Sequence, residues 1–362
     1  MIIKSIELSN YRNYENISIS FEEGINILYG NNAQGKTNLL EAAYMSGTSK
    51  SHKSTKDRDI IRFGQDEAHI KTVVERESLS TVIDIHLRKN KSKGIAVNKA
   101  PIRKASDLFG NLNIVFFSPE DLNIVKESPA ERRRFIDQEL CQIDKVYLHN
   151  LTNYNKAIAQ RNKLLKDIYF HPSLKDTLSV WDDQIINFGT TVIKKRAAFV
   201  EELNETVSSI HSKITGSDVP LIIKYEPNVT EENFRQMLEE AHPRDLKYES
   251  TSVGPHRDDM IFSLDGIDIR QFGSQGQQRT VALTLKLAEI EIVKKIIHEA
   301  PVLLLDDVLS ELDSNRQNYL LSSLSGTQTI ITCTGLDEFI KSRCTVDKVF
   351  HIVNGTVSES EI

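Results

Sequence analysis

The segment from Gly30 to Thr37, GNNAQGKT, constrains this chain more than any other feature of its sequence. It matches the pattern G-x-x-x-x-G-K-[ST], in which a glycine-rich loop surrounds phosphate groups with its backbone N–H groups. An apolar stretch, INILY, leads into the loop, and a helix predicted from Lys36 to Met45 follows it. Because the N-terminal end of a helix attracts anions, this strand–loop–helix order predicts a nucleotide triphosphate site in an α/β fold.

Every residue of this loop is a candidate ATP ligand. Lys36 is expected to reach the β- and γ-phosphates and to take part in catalysis, and the hydroxyl of Thr37 is expected to bind Mg²⁺. The predicted ATP-binding residues of the loop are Gly30, Asn31, Asn32, Ala33, Gln34, Gly35, Lys36 and Thr37.

A second motif, which is acidic, supplies a ligand for the metal ion. Val302 to Leu305 is an aliphatic run that is followed directly by Asp306 and Asp307. We predict that Asp306 holds Mg²⁺ and that Asp307 orients or deprotonates the attacking water. A buried strand with an acidic end by chance is the alternative for this segment alone, but the phosphate loop upstream favours the catalytic interpretation.

Alternating apolar residues predict strands in the N-terminal part of the chain. Three short strands are expected at Ile2–Leu8, Ile17–Phe21 and Ile25–Leu28. Residues 70–98 are rich in Val, Ile and Thr and are typical of an antiparallel strand cluster. Asn113–Phe117 has the composition of a buried strand.

The pattern becomes helical from about residue 130 to 213. Apolar side chains recur at helical spacing in two runs, which are separated near His171-Pro172. The runs are Ile143, Tyr147, Leu151, Tyr154 and Ile158, then Trp181, Ile185, Phe188 and Val192. Two such helices in succession favour an antiparallel hairpin or arm, and an ordinary helical subdomain stays open as the alternative.

A mixed pattern returns from about residue 250. The expected elements are a strand at Met260–Leu264, a turn at Asp265-Gly266, a helix at Ser274–Ile297, and strands at Val302–Leu305, Thr329–Thr332 and Lys348–Val353. We therefore predict an ATPase domain in two parts, residues 1–125 and 246–362, with a helical arm inserted as residues 126–245.

Composition excludes several classes of protein. No stretch approaches the roughly 18 apolar residues of a membrane-spanning helix, and the N-terminus lacks the order of a signal peptide. The three cysteines have no metal-type spacing, which favours a reducing cytoplasm. The net charge is −6, yet residues 1–104 carry 17 basic and 12 acidic side chains. A basic region on an acidic protein can mark a site for a polyanion.

Two further segments make the class specific. Gly273–Arg279, GSQGQQR, opens a predicted helix before the acidic strand, and Ser310–Asp313, SELD, follows it. With the phosphate loop, these motifs resemble the ATP-binding-cassette ATPases in order and spacing. The resemblance implies an ATP-bound homodimer, in which Ser274, Gly276 and Gln277 bind the γ-phosphate held by the other subunit.

Within that superfamily the chain is similar to the RecF family over essentially its whole length. The matching motifs are Asn10–Tyr14 (NYRNY), Ser118–Leu122 (SPEDL), Arg132–Asp137 (RRRFID) and Gly254–Asp258 (GPHRD). The resemblance implies an ABC-type ATPase head with a mixed sheet and an antiparallel strand subdomain. It also implies that Arg12 lies near the nucleotide.

The same resemblance implies a function in recombinational repair. RecF proteins bind duplex and gapped DNA in an ATP-dependent way. With RecO and RecR they help to load RecA onto single strands coated by single-strand-binding protein. We therefore expect a weak, DNA-dependent ATPase with ATP and Mg²⁺ as cofactors.

Two departures from cassette ATPases bear on the chemistry. Asp307 stands where transport cassettes have Glu, and the shorter side chain suggests slow hydrolysis that acts as a timer. The usual switch histidine is replaced by Thr332-Cys333-Thr334, so that a hydroxyl would have to sense the γ-phosphate.

Basic clusters are the candidate DNA contacts. His86–Lys104 contains seven Lys and Arg and no acid, and Lys50–Arg58 forms a second cluster. Such runs suit phosphate contacts with little base readout, although a solvated hairpin is the alternative. The predicted DNA-binding residues are Lys53, Lys56, Arg58, Arg88, Lys89, Lys91 and Lys93.

Some alternatives stay open. Arg132–Arg134 suggest either an acidic partner or an internal ion-pair network, and His256 and Arg257 suit structural or functional roles equally. A small SMC-like structural or chromosome-organising clamp is the alternative function, but such chains have far longer heptad repeats. A transporter subunit or a small-metabolite kinase would not need this combination of motifs.

Overall fold

The computed structural model describes residues 1–53, 56–77, 79–335 and 345–360. The chain forms two compact units, which we call the first unit (residues 1–121 and 289–362) and the second unit (residues 122–288). Within the described ranges, no helix is long and apolar enough to cross a membrane. Cys141 and Cys333 are buried thiols, and Cys344 lies outside the described residues.

The secondary structure alternates between strands and helices in the first unit and is mainly helical in the second. The strands are β1 (Ile2–Tyr11), β2 (Tyr14–Ser20), β3 (Ile25–Tyr29), β4 (Glu67–Arg76), β5 (Leu79–Arg88), β6 (Gly94–Val97), β7 (Ala100–Pro101), β8 (Ile114–Phe117), β9 (Leu221–Glu226), β10 (Asp259–Leu264), β11 (Ile267–Asp268), β12 (Val302–Asp306), β13 (Thr329–Cys333), β14 (Val346–Val353) and β15 (Thr356–Ser360). The α-helices are α1 (Lys36–Thr48), α2 (Leu122–Lys126), α3 (Pro129–Ile143), α4 (Lys145–Phe170), α5 (Leu178–Thr215), α6 (Phe234–Glu240), α7 (His242–Tyr248), α8 (Ile269–Phe272), α9 (Gln275–Ile297) and α10 (Ser314–Ser323).

A mixed sheet forms the centre of the first unit, with the strand order β15-β14-β3-β13-β12-β8. All pairs are parallel except β14 with β15. Strands β12 and β13 are buried along their whole length, as expected for interior strands of a parallel sheet. Because parallel strands end at the same edge of a sheet, the residues after β3, β12 and β13 come together there.

An antiparallel sheet with the order β2-β1-β4-β5-β6-β7 completes the first unit. It confirms the strand cluster predicted for residues 70–98. Alternate side chains such as Ile6 and Ile85 face the same apolar core as Leu39 and Met45 of α1 and Leu304 of β12. Helix α1 therefore lies between the two sheets, which holds the phosphate loop at its N-terminus in place.

Helices α4 and α5 of the second unit form the predicted antiparallel hairpin. Tyr154 and Ala157 share a cluster with Ile185 and Ile193. Leu165, nearer the C-terminal end of α4, packs with Leu178 at the start of α5, so the two helices run antiparallel. The expectation of one continuous helix through Ile143 to Ile158 is wrong at Asp144. That residue is extended (φ −132°, ψ 102°), and its carboxylate caps α4 by accepting from the N–H groups of Val146 and Tyr147.

The second unit also contains a three-stranded antiparallel sheet, with the order β11-β10-β9. Strand β9 lies within residues 126–245, for which only helix was expected. Its edge is covered by α5, because the Asn204 amide exchanges two hydrogen bonds with the backbone of Ile223, at 2.7 and 2.8 Å. This unit extends to Ala288, beyond the end expected for the arm.

Buried ion pairs hold the helices of the second unit together. Arg161, fully buried on α4, donates to Asp182 and Asp245 at 2.6 Å each. Arg196 on α5 likewise bonds Asp137 and Asp258, at 2.8 Å each. Removing one partner from such a pair costs roughly 3–5 kcal/mol of stability because the other charge stays buried.

Contacts within this unit bear on two of the open alternatives. Arg132 is an internal residue, since it is buried and donates to both carboxylate oxygens of Asp259 at 2.5 and 3.2 Å. His256 joins two segments, because its Nδ1 accepts from the Tyr154 hydroxyl at 2.6 Å and its Nε2 donates to the Thr251 carbonyl at 3.0 Å. Burial lowers the pKa of His256 to about 4, which favours a neutral ring, and its two hydrogen bonds within the unit favour a structural role.

Candidate nucleotide site

The phosphate loop has the backbone that its glycines allow. Gly30 and Gly35 lie at φ 151° and 120°, a region that L side chains rarely adopt. A Cβ atom on Gly30 would lie 2.3 Å from the Ile352 carbonyl oxygen, and one on Gly35 would lie 2.6 Å from the Asn13 side chain. The loop thus packs against neighbouring groups so closely that a side chain at either position is excluded.

The NYRNY segment, Asn10–Tyr14, stabilises the loop through hydrogen bonds to its carbonyls. The Asn13 amide donates to the Gln34 carbonyl at 2.8 Å, and the Tyr14 hydroxyl donates to the Gly35 carbonyl at 2.9 Å. Asn38, in the first turn of α1, donates to the side chain of Asn13 at 2.8 Å. Asn13 and Tyr14 are therefore positioning residues, which the sequence analysis quoted only as part of a motif.

Arg12 lies in a buried ionic cluster. Its guanidinium makes two hydrogen bonds to Glu41 on α1, at 2.6 and 2.8 Å, and a third to the Asp59 carbonyl at 2.8 Å. Burial opposes ionisation of Glu41, but the hydrogen bonds from Arg12 and Ser51 outweigh it and lower its pKa below the usual value. Glu41 was not singled out from the sequence, although it is a lone acid in the apolar run NLLEAAYM. Direct contact between Arg12 and ATP stays a prediction.

The side chain of Lys36 contacts the backbone of the loop that precedes it. Its Nζ donates to the carbonyls of Gly30 and Asn31 at 2.5 and 2.9 Å, and only 7% of the residue is exposed. Burial lowers the pKa of Lys36, and the nearby charges of Asp307, Cys333 and Asp306 oppose that shift. A buried ammonium ion at the centre of a phosphate loop is well placed for an anionic ligand.

The two predicted metal ligands lie together. Thr37 Oγ1 donates to Asp306 Oδ1 at 2.7 Å, although 269 residues separate them in sequence. A hydroxyl and a carboxylate are oxygen donors of the kind that Mg²⁺ prefers. The donor set therefore fits a magnesium ion, which Thr37 and Asp306 would hold.

Thr332 braces this acidic edge from the neighbouring strand. Its Oγ1 donates to Asp306 Oδ1 at 2.9 Å and accepts from the Asp307 N–H at 3.0 Å. Only 1% of the residue is exposed. Its hydroxyl is thus a positioning group for the two aspartates, and the exposed Thr334 is the other hydroxyl of the segment predicted to sense the γ-phosphate.

Asp307 adopts a conformation that is unusual for aspartate, with φ 55°. Burial raises the pKa of its carboxyl, the charge of Asp306 adds to the rise, and Lys36 opposes it. A carboxylate with a raised pKa is a stronger base, which suits the predicted role in activating water.

The residues Ser274, Gly276 and Gln277 belong to the second unit. Ser274 and Gln277 form a capping box at the start of α9: the Gln277 side chain accepts from the Ser274 N–H at 2.9 Å, and the Gln277 N–H donates to Ser274 Oγ at 3.3 Å. Both side chains are exposed. The motif thus presents the N-terminal end of a 23-residue helix at the surface.

The predicted DNA contacts occupy several different environments in the first unit. Lys53 Nζ lies 4.0 Å from Asp306 Oδ2, at the candidate metal site. Lys93 Nζ donates to the Ser49 carbonyl at 2.5 Å and pairs with Asp57 at 3.2 Å. Lys93 is therefore engaged within the unit, whereas Lys53 pairs with Asp306 and stays exposed.

The other predicted DNA contacts lie at the surface. Arg58 pairs with Asp59 at 3.6 Å, Lys89 pairs with Asp66 at 3.5 Å, and Arg88 lies 3.4 Å from His86 Nδ1. Lys56 and Lys91 are exposed to solvent. Both clusters thus keep cations at the surface, and contact with DNA by either one stays a prediction.

Comparison with known proteins identifies relatives along the whole chain. A family profile described as the RecF/RecN/SMC N terminal domain matches residues 2–358. The chain is 67% identical over 357 residues to the DNA replication and repair protein RecF of Agathobacter rectalis, covering 99% of each chain. It is 56% identical over 359 residues to the RecF protein of Lachnospira eligens, again covering 99% of each chain.

Solved structures give the same result. Two structures of the recombination mediator protein RecF in the RecFOR pathway, RecF-ATPrS and RecF-ATP, match with a TM-score of 0.92 and 36% identity. Each match covers 99% of this chain, together with 98% of the RecF-ATPrS chain and 97% of the RecF-ATP chain.

The Smc head domain of Pyrococcus furiosus, with an extended coiled coil bound to ScpA, shares 16% identity at a TM-score of 0.57 and so shows the fold alone. The match covers 99% of this chain and 95% of the Smc head chain. The predicted fold class and the resemblance stated from the motifs are both confirmed.

Proposed function

The chain belongs to the RecF family of DNA replication and repair proteins, and on this basis we propose that it is an ATP-dependent DNA-binding protein of recombinational repair. The observation that carries the proposal is the hydrogen bond from Thr37 to Asp306. It joins the phosphate loop to the acidic strand end in one oxygen-lined site. Work on the chromosome would place the protein in the cytoplasm.

In this proposal ATP binds to the loop from Gly30 to Thr37. The backbone N–H groups surround the phosphates, and Lys36 turns from the loop carbonyls toward the β- and γ-phosphates. Thr37 and Asp306 would hold Mg²⁺, which when bound neutralises charge on the phosphates. Tyr14 and Asn13 keep the loop in shape through hydrogen bonds to its carbonyls.

Hydrolysis would depend on Asp307. Its carboxylate accepts a proton from the attacking water, and Thr332 fixes its backbone. The side chain is one methylene shorter than the Glu of fast cassette enzymes, which supports slow turnover that acts as a timer.

ATP would join two copies of the chain. Ser274, Gly276 and Gln277 are proposed to bind the γ-phosphate held by the other subunit, with the exposed start of α9 as the anion site. Hydrolysis would then separate the protomers and release DNA.

The proposed DNA substrate is duplex or gapped DNA, contacted through its phosphates by the basic turn after β5. With RecO and RecR, the protein would promote loading of RecA onto single strands coated by single-strand-binding protein.

Sedimentation with ATP and Mg²⁺, with and without a gapped duplex, tests whether ATP drives dimerisation and whether the dimer retains DNA. We expect an ATP-dependent dimer that retains the duplex, and a monomer that binds ATP without dimerising would contradict it.

Replacing Asp307 with Asn should slow hydrolysis by about two orders of magnitude, which is the lower range for a general base. ATP-dependent dimers should persist longer, because only the timer is removed. Wild-type hydrolysis should also fall as the pH drops through the raised pKa of Asp307, since the base acts when ionised. Single-turnover assays over a pH range that begins near the ordinary aspartate pKa of about 3.9 and extends to neutrality measure both effects. Asp218→Asn, at an exposed site in the second unit, is the control, and an unchanged rate in the Asp307 variant would remove its assigned role.

Replacing Lys89 and Lys91 with Gln should make duplex binding less dependent on salt. Removing one lysine–phosphate interaction lowers the slope of log K against log salt by about 0.9. Lys93 is left intact because it braces the Ser49 backbone. A salt titration monitored by fluorescence anisotropy gives the slope, with Lys126→Gln as the control. If the slope does not change, the DNA interface lies elsewhere.

A further inference from the structure

The free end of the α4–α5 hairpin exposes two large aromatic side chains. Tyr169 and Phe170, the last residues of α4, are 77% and 74% exposed. Their rings meet edge to face, with the centroids 5.1 Å apart. Behind them a small apolar cluster of Leu165, Ile168 and Leu178 holds the end of the hairpin together. Both aromatic rings are thus held on a rigid support.

A basic stripe runs along α4 to this pair. The helix carries five basic residues and one acid, Asp167. Lys156, Lys163 and Phe170 are seven residues apart, and Lys166 lies between the last two on the same helical face. These three lysines are exposed and form no ion pair within the described part of the chain. The stripe from Lys156 to Phe170 extends about 21 Å.

We propose that the stripe of Lys156, Lys163 and Lys166, with Tyr169 and Phe170 at its end, binds single-stranded DNA. The lysines would follow the phosphates, and the aromatic rings would stack on unpaired bases. Lysines beside solvent-exposed aromatic side chains are the elements of single-strand recognition, in which stacking tolerates any sequence.

The exposed rings favour single strands over a duplex, because paired bases hide their faces within the stack. A second copy of the chain is a poor occupant, since two such stripes placed end to end would bring like charges together. The surface lies wholly in the second unit and needs neither ATP nor dimerisation. Its test can therefore fail without affecting the proposed ATPase function.

The test is binding of a fluorescent oligo(dT) of about 15 nucleotides to the full chain without ATP, by anisotropy. Tyr169→Ala with Phe170→Ala should weaken binding by about tenfold for each base that no longer stacks, with the salt slope unchanged. Lys163→Gln with Lys166→Gln should instead lower the slope by about 0.7 for each phosphate that is no longer neutralised. Tyr169→Phe with Phe170→Tyr should retain binding.

The matched controls lie at the other end of the same helix. Lys145 and Val146 are exposed there, so Lys145→Gln and Val146→Ala should bind oligo(dT) like the wild type. Thermal unfolding checks that every variant is folded. Unchanged oligo(dT) binding in the aromatic variant would overturn the proposal. So would equal weakening in Val146→Ala, or an effect on self-association or on capture of an acidic protein without one on oligo(dT).

Discussion

Replacing Lys36 with Arg should abolish ATP-driven association while leaving the protein folded. The ammonium group is almost fully buried and lies between two loop carbonyls at 2.5 and 2.9 Å, a space that suits a compact charge. The planar guanidinium of Arg is larger and cannot occupy it in the same way. Hydrogen bonds to charged groups contribute roughly 1.5–3 kcal/mol, so ATP should bind at least about tenfold more weakly. Isothermal titration gives the affinity, and sedimentation with ATP and Mg²⁺ gives the dimer.

Lys50→Arg is the matched control for this variant. Lys50 is exposed just beyond the C-terminal end of α1, so the change keeps the charge and should leave ATP binding unaltered. Dimers of Lys36→Arg at the ATP concentration that the wild type needs would show that Lys36 does not contact the nucleotide.

Replacing Ser274 with Arg should also abolish the ATP-dependent dimer, but without weakening ATP binding. ATP should bind to the chain's own loop with normal affinity, yet no ATP-dependent dimer should form, because Ser274 acts on the nucleotide of the other subunit. Ser274→Asp should behave alike, since placing a carboxylate against a phosphate costs several kcal/mol. A penalty of about 3 kcal/mol corresponds to roughly a hundredfold weaker dimer.

Comparing the two Ser274 variants distinguishes loss of the interface contact from loss of the helix cap. Ser274 accepts from the Gln277 N–H at 3.3 Å, and Arg removes that cap whereas Asp is as good a cap as Ser. Loss of dimers in both variants therefore cannot be attributed to fraying of α9. Ser179→Arg, in the first turn of α5, is the control for an added cation. Normal ATP-dependent dimers in Ser274→Asp would contradict the model in which ATP joins the two copies.

The positions of the loop and of the acidic strand end could be predicted from the motifs because these depend on short-range geometry. A phosphate loop requires glycines at particular positions, and Gly30 and Gly35 have the positive φ values that only glycine adopts easily. The strands on either side follow from their apolar sequences. Since β3, β12 and β13 are parallel neighbours, their carboxyl ends meet, and the pairing of Thr37 with Asp306 follows from two motifs far apart in sequence.

Polar partners could not be predicted in the same way. Arg12 was expected near the nucleotide, but its main partner is Glu41 on α1. Lys53 was assigned to DNA from its basic neighbours, yet it lies beside Asp306. Charge patterns along the chain show which residues are cationic but not which anion each one faces.

Secondary structure differed from expectation at two places in the second unit. Apolar spacing continues from Ile143 to Tyr147, but the Asp144 carboxylate captures two backbone N–H groups and begins a new helix there. The backbone of β9 pairs with β10 and with the Asn204 side chain, so its strand conformation depends on distant partners. Both outcomes reflect hydrogen bonds that periodicity does not encode.

Sequence motifs were enough to locate a phosphate loop, an acidic strand end and a capped helix start, and to identify membership of the RecF family. How these parts are supported became visible only in three dimensions. Asn13 and Tyr14 hold the loop, Thr332 braces the aspartates, and the lysines of α4 line up with an exposed aromatic pair. The conformation of the phosphate loop and of the apolar strands beside it follows from local sequence, whereas the partner of a polar side chain is set by which distant segments packing brings within hydrogen-bond distance.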